Sequence, residues 1–171
     1  VVLFRLYETV GYEWIVILFA LLIVMALVIL NVFIYKNART KILWPILAGL
    51  QLFGLMASLP HLGVRMQELA WLFVLFILII IHYYHKTENW RYLLFLPPLF
   101  LAWANLHGSF LIGFFLLGSF WGLQIFLQLY FKSRLAQKII LKRGLSWSAI
   151  KIFGLFIALA WTATLLNPYH L

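Results

Sequence analysis

Cysteine and aspartate are both missing from this chain of 171 residues, and charged residues of either sign are scarce. The absence of cysteine excludes disulfides, thiolate metal sites and a cysteine nucleophile. In the absence of aspartate, the carboxylate side chains are limited to four glutamates, Glu8, Glu13, Glu68 and Glu88. Acid, base or divalent-metal chemistry performed by this segment alone therefore has few candidate residues.

Apolar residues dominate instead. The chain is 66% hydrophobic and 10% charged, and several uncharged runs approach the roughly 20 residues that a helix needs to cross a bilayer. In hydrocarbon, the backbone of such a run must form its hydrogen bonds within a helix. We predict an all-α fold, a polytopic transmembrane helical bundle that forms one domain over residues 1–171. Its six predicted membrane segments are Tyr12–Tyr35, Ile42–Leu59, Leu69–His85, Tyr92–Leu106, Ser109–Phe131 and Trp147–Leu166.

Proline and glycine mark the ends and breaks of these segments. Pro97-Pro98 lies inside the short fourth segment and predicts a kinked or broken helix there, because proline lacks the backbone donor. A helix end near Asn105 and a turn at Gly108 are expected between the fourth and fifth segments, since asparagine and glycine tolerate left-handed backbone. Pro168 ends the sixth segment at the same membrane face as that turn.

Basic residues fall almost entirely on one side of six successive crossings. The other side receives only Arg5 and Arg65. Cytoplasmic loops carry the excess of Lys and Arg, so the basic loops are predicted to be cytoplasmic and both termini to lie outside. We attribute the net charge of +9 to loops facing anionic membrane lipids, and do not expect nucleic acid as a partner. The basic side holds Lys36, Arg39, Lys41, Lys86, Arg91, Lys132, Arg134, Lys138, Lys142, Arg143 and Lys151.

The basic stretch Lys132–Gly144 has two interpretations. Its interleaved leucines and isoleucines fit an interfacial helix that lies on the cytoplasmic leaflet. A solvated basic loop that only fixes topology fits equally well.

Polar residues collect on the face opposite the basic loops. Trp103, Asn105 and His107 lie between the fourth and fifth segments, and Arg65 and Gln67 precede the third. Polar groups between apolar runs usually face protein or a water-filled cavity, which makes them candidates for a functional site. A structural explanation stays open for each, because Asn and His cap helix ends and Arg pairs with a glutamate or reaches a lipid headgroup.

Three short motifs with this spacing resemble a known family. W-A-N-L-H-G-S-F-L-I-G starts at Trp103, V-R-M-Q precedes it at residues 64–67, and L-N-P-Y follows at residues 166–169. Together they resemble bacterial polytopic proteins of the GT-C glycosyltransferase superfamily, which show R-P-Q, W-x-N-x-H-G and N-P-Y-G in this order. The chain departs from that pattern at Met66 and His170. The resemblance implies transfer of a sugar from a polyprenyl-phosphate-linked donor at the outer face of the bacterial inner membrane.

The resemblance also implies roles for individual residues. Arg65 and His107 would contact the carrier phosphate, and Gln67 and Asn105 would hydrogen-bond the sugar or orient the first pair. Trp103 and Tyr169 would stack against the sugar or the isoprenoid. The catalytic residue is unknown, because a general base would lie upstream of Val1 in a longer protein. No cofactor is expected for this segment, and a divalent metal is left open for the longer protein.

Two other classes of function stay open. A non-catalytic scaffold or subunit, bound to other membrane subunits in a larger complex, needs none of these residues to react. A haem, quinone or metal site is a third class, because His61, His107 and His170 fall on one face and imidazole is a common metal ligand.

Overall fold

The computed structural model describes residues 7–9, 11–37, 44–58, 68–130 and 144–167. These residues form helices and turns, with no strand among them, so the prediction of an all-α fold is confirmed. The helices are α1 (Tyr12–Asn37), α2 (Trp44–Ser58), α3 (Glu68–Thr87), a 3-10 helix (Trp90–Phe95), α4 (Leu96–Leu106), α5 (Phe110–Tyr130) and α6 (Trp147–Thr164).

Four helices in the described ranges are long and apolar enough to cross a membrane: α1, α3 from Leu69, α5 and α6. They support the prediction of an integral membrane protein. Helix α2 is apolar but has only 15 residues, and α4 has 11. The six crossings predicted from the sequence therefore stay a prediction.

The chain divides into two compact units, residues 1–72 and 73–171. In the first unit, the side chain of Asn31 on α1 donates to Gln51 Oε1 on α2 at 3.2 Å, and to the Leu27 carbonyl at 2.8 Å. The Nε2 of Gln51 is buried and has no hydrogen-bond partner in the described part of the chain. Amide pairs of this kind hold helices together in lipid, where the hydrophobic effect contributes little to their association.

In the second unit, one end is built around Ser146, which precedes α6. The carboxylate of Glu88, just after α3, accepts the Ser146 backbone N–H at 2.9 Å and its hydroxyl at 2.6 Å. From α5, Gln124 accepts the Leu145 N–H at 3.1 Å, and Gln128 donates to the Leu145 carbonyl. The end of α3, the second half of α5 and the start of α6 therefore meet here, at what we call the Ser146 end.

The opposite end holds the turn between α4 and α5. Asn167, just beyond α6, donates to the Ala104 carbonyl at 3.0 Å. The ring of Phe73, near the start of α3, stacks on Trp103 with centroids 5.1 Å apart. We call this the turn end. Helix α6 has 18 residues and is about 27 Å long at 1.5 Å per residue. The chain from Glu88 to Ala104 therefore runs the length of α6.

The fourth predicted segment contains the expected break. Residues 90–95 form the 3-10 helix, and Pro97 and Pro98 lie in the first turn of α4. Missing N–H groups are tolerated there because the first turn has no intrahelical acceptors for them. Leu96 keeps a right-handed helical conformation, with φ −65° and ψ −53°. The break is therefore a change of helix type at the prolines, not a departure from helical backbone.

Two glycines allow close helix packing in the second unit. A Cβ on Gly113 of α5 would lie 2.7 Å from the Trp103 ring, 2.8 Å from Phe100 and 2.9 Å from Ile77. A Cβ on Gly154 of α6 would lie 2.9 Å from the ring of Trp121. Small residues at such points let helices approach closely, which is how membrane helices gain packing energy.

Candidate functional site at the Leu106–Ser109 turn

The connection between α4 and α5 is short and well defined. Helix α4 ends at Leu106, and His107 leaves it in extended backbone with its N–H donating to the Trp103 carbonyl at 2.9 Å. Gly108 and Ser109 form the turn, and α5 begins at Phe110. The predicted helix end and turn are confirmed.

The turn does not use the left-handed backbone that was predicted for it. Among the described residues, positive φ angles occur at Gly11 and Glu88 and not at Gly108. A Cβ on Gly108 would meet nothing within 4 Å. The turn is made by the extended conformation of His107, so a left-handed glycine is not required.

The imidazole of His107 is oriented by the backbone of Ser109. Its Nδ1 accepts the backbone N–H of Ser109 at 3.0 Å. Its Nε2 is bonded to no residue in the described ranges and is not buried. A ring nitrogen that accepts a hydrogen bond carries no proton, so the neutral ring has its proton on Nε2. His107 therefore presents a hydrogen-bond donor at the surface of the turn.

Trp103 is buried beside the turn and bonds to it. Its side chain is 1% exposed, and its indole N–H donates to the Ser109 hydroxyl oxygen at 3.0 Å. The ring stacks on Phe73 with an angle of 12° between planes. Trp103 and His107 are thus joined through Ser109, which the sequence analysis did not assign. The serine lies within the motif, but nothing in its local pattern identifies its two partners.

Asn105 is separate from this chain of contacts. Its side-chain N–H donates to the Leu101 carbonyl, one turn back on α4, at 2.7 Å. The side-chain oxygen of Asn105 bonds to no described residue and is not buried. This half-buried residue therefore offers an acceptor at the same end of α4 where His107 offers a donor.

The start of the L-N-P-Y motif lies beside this turn. Asn167 and Ala104 are 63 positions apart in the sequence and are joined by a hydrogen bond of 3.0 Å. Two of the three motif stretches are therefore adjacent in the fold. Arg65, Gln67 and Tyr169 lie outside the described residues, as do His61, His170 and residues 131–143 of the basic stretch.

A second polar cluster, at the Ser146 end, was also missed by the sequence analysis. The Ser146 hydroxyl caps α6 by accepting the Ala149 N–H at 3.2 Å, and the buried Tyr84 hydroxyl donates to the Ala149 carbonyl at 2.7 Å. Serine before an apolar run is a recognisable capping signal. Glu88, which binds Ser146, has φ +52° and carries no such signal. Because these groups satisfy one another's hydrogen bonds, we interpret the cluster as a structural contact between the end of α3 and the start of α6. The turn is therefore the candidate site.

Within the described ranges, no three His, Cys, Asp or Glu side chains are grouped closely enough to hold a metal ion. Of the three histidines in the metal or haem hypothesis, only His107 is described. The described part of the site offers one imidazole donor and amide and hydroxyl groups. Such groups bind oxygen-rich ligands by hydrogen bonds.

Comparisons of the chain with protein-family models, curated proteins and solved structures give no match. The resemblance to the GT-C superfamily stays a prediction that rests on the motif residues.

Proposed function

We propose that this chain is part of a GT-C-like glycosyltransferase of the bacterial inner membrane that uses a polyprenyl-phosphate-linked sugar at the extracytoplasmic face. The observation that carries the proposal is the hydrogen bond from Asn167 to the Ala104 carbonyl. It joins W-A-N-L-H-G and L-N-P-Y, two motifs far apart in sequence that the resemblance assigns to one site.

The proposed orientation follows from the two ends of the second unit. Lys86, Arg91 and Lys151 are exposed near the Ser146 end. The described stretches around the turn, residues 73–76, 100–114 and 160–167, contain no Lys or Arg. By the positive-inside rule, the Ser146 end is cytoplasmic and the turn end faces outward. If α6 crosses the bilayer, the 3-10 helix with α4 crosses it too. This favours full crossings by the fourth and fifth segments over a pair that enters the membrane from the cytoplasmic side and returns to it.

Because these 171 residues contain no cysteine, single thiols introduced into them test this orientation, with labelling of the unsubstituted protein as the baseline. Gly108→Cys adds a thiol at an exposed turn, and Thr87→Cys is a matched change at an exposed residue of the other end. In intact cells, a membrane-impermeant maleimide is expected to label the first variant and not the second. Labelling of the second alone would reverse the proposed orientation.

In the proposed site, His107 donates from Nε2 to a phosphate oxygen of the carrier, and Asn105 accepts from a sugar hydroxyl. Trp103 holds the turn and does not stack on substrate, because the residue is only 1% exposed and its ring stacks on Phe73. Arg65, Gln67 and Tyr169 keep the roles that the resemblance implies. The proposal assigns the role of general base to no residue in the described ranges.

Binding of the carrier tests this site. The full protein in lipid nanodiscs is titrated with polyprenyl phosphate, and His107→Ala is compared with His85→Ala, a matched change near the other end. His85 packs edge-on against Phe120 and is far from the turn. We expect binding about tenfold weaker or more in His107→Ala, from loss of a hydrogen bond to a charged group, and unchanged binding in His85→Ala. Equal effects of the two variants would contradict the site.

A scaffold or subunit of a larger membrane complex is the second candidate. The observation that favours it is internal pairing: Trp103 with Ser109, Asn105 with the Leu101 carbonyl, and Asn167 with the Ala104 carbonyl. A scaffold is expected to co-purify with other membrane subunits in fixed stoichiometry and to bind no polyprenyl phosphate. The nanodisc titration therefore separates the two candidates.

A further inference from the structure

We propose that His107 works as a neutral hydrogen-bond donor to an anionic oxygen, and that Ser109 is the positioning residue that fixes it in this state. This inference deepens the proposed function and rests on it for the identity of the ligand, a phosphate oxygen of the lipid carrier. It excludes His107 from the role of general base and gives Ser109 a role in ligand binding.

The geometry of the turn sets the tautomer of the His107 ring. His107 leaves α4 in extended backbone, with φ −162° and ψ 144°, and this brings its Nδ1 to 3.0 Å from the backbone nitrogen of Ser109. In a charged imidazolium both ring nitrogens carry protons, so Nδ1–H would face the Ser109 N–H and the bond would be lost. In the neutral ring, the turn therefore favours the tautomer with its proton on Nε2.

The chemistry of His107 follows from that tautomer. A nitrogen that already carries a proton cannot accept another from an acceptor hydroxyl, so Nε2 does not serve as a base. It donates, and its complement is an oxygen with lone pairs and negative charge. A phosphate oxygen has both, and hydrogen bonds to ionised acceptors are stronger than those between neutral groups.

Ser109 holds this arrangement through two bonds. Its backbone N–H meets His107, while its hydroxyl oxygen accepts the Trp103 indole N–H at 3.0 Å. Trp103 is fixed by its stack on Phe73 and by close packing against Gly113. Loss of the Ser109 hydroxyl would release the turn from this packed ring, and His107 would then lose its fixed orientation.

Two amide substitutions at His107 separate the ring nitrogens. The side-chain N–H of glutamine reaches about as far as Nε2, whereas that of asparagine reaches about as far as Nδ1. In polyprenyl-phosphate titrations of the full protein in nanodiscs, we expect His107→Gln to bind within about threefold of wild type. His107→Asn is expected to bind about tenfold more weakly or worse. If His107→Asn bound the carrier as tightly as His107→Gln, the assignment of Nε2 as the donor would be overturned.

The state of the ring is measured directly by ¹⁵N NMR of protein labelled at histidine, with His107 assigned by its absence in His107→Gln. Wild type is expected to show an unprotonated Nδ1 and a protonated Nε2. In Ser109→Ala, we expect His107 to populate both tautomers and the carrier to bind more weakly. Ser109→Thr keeps the hydroxyl, and we expect it to show the wild-type tautomer and wild-type binding. A protonated Nδ1 in wild type, or identical spectra and binding in Ser109→Ala, would overturn the inference.

Parallel titrations identify the source of the phosphate. Inorganic phosphate and vesicles of ordinary anionic phospholipid are titrated alongside the polyprenyl carrier, and we expect the carrier to bind most tightly. If wild type binds none of the three while its ring spectrum is as expected, the proposed function fails and the tautomer stands. If the carrier binds but His107→Asn retains that binding, the proposed function stands and this inference fails.

Discussion

Substitution of Gly113 by alanine tests the packing on which the turn depends. The new Cβ would lie under 3.0 Å from atoms of Trp103, Phe100 and Ile77. These three side chains are 1%, 0% and 0% exposed, and the indole is additionally held by its bond to Ser109. At distances under 3.0 Å, the added methyl must shift these buried side chains or the helices that carry them.

The magnitude follows from two opposing contributions. Overpacking of a full core costs about 1–3 kcal/mol, and three simultaneous contacts place Gly113→Ala in the upper part of that range. Replacing glycine by alanine inside a helix raises the free energy of unfolding by about 1 kcal/mol. We therefore expect a net loss of about 1–2 kcal/mol in the free energy of unfolding.

Gly118→Ala is the matched control on the same helix. A Cβ at Gly118 would meet nothing within 4 Å, so only the helix gain of about 1 kcal/mol applies there. The two variants should differ by about 2–3 kcal/mol, or roughly 5–10 °C in the Tm of a protein of this size. The assay is thermal unfolding of both proteins in one detergent. Equal or higher stability of Gly113→Ala would refute the reasoning.

Three further substitutions test the polar contacts by the same thermal assay. Gln124→Leu leaves the buried Leu145 N–H without its acceptor and is expected to cost about 1–3 kcal/mol; an unchanged Tm would contradict that contact. Gln51→Met removes a buried and unpartnered N–H and also the acceptor of the Asn31 amide; the two changes oppose each other, so we expect stability to change by less than about 1 kcal/mol, whereas a larger drop would mean that the Gln51 N–H has a partner. Glu88→Gln weakens the acceptor for Ser146 and is expected to lower the free energy of unfolding by about 1 kcal/mol; added stability would contradict the contact between Glu88 and Ser146.

Features with local causes were predictable from the sequence. Long apolar runs predict α1, α3, α5 and α6, because a chain in hydrocarbon must satisfy its own backbone. The break at Pro97-Pro98 and the turn near Gly108 follow from the chemistry of single residues. Even here the detail differed, since the turn uses an extended His107 and not a left-handed glycine.

Features that depend on distant contacts were not predictable. Glu88 meets Ser146, 58 positions along the chain, because α3 ends where α6 begins. Ser109 meets Trp103, six positions back, because the extended backbone of His107 turns the chain. Neither meeting follows from spacing along the chain. For the same reason, the motif at Trp103 indicated where to look but not that Ser109 would fix the imidazole of His107.

The central claim is that a polyprenyl phosphate binds at the turn end, and photo-crosslinking tests it most directly. A polyprenyl phosphate with a diazirine near its phosphate is activated with the full protein in nanodiscs, and the modified peptides are mapped by mass spectrometry. The account predicts labelling within residues 104–112, reduced by excess unlabelled carrier and by His107→Ala. Labelling spread evenly along the lipid-facing helices, or concentrated at the Ser146 end, would contradict it.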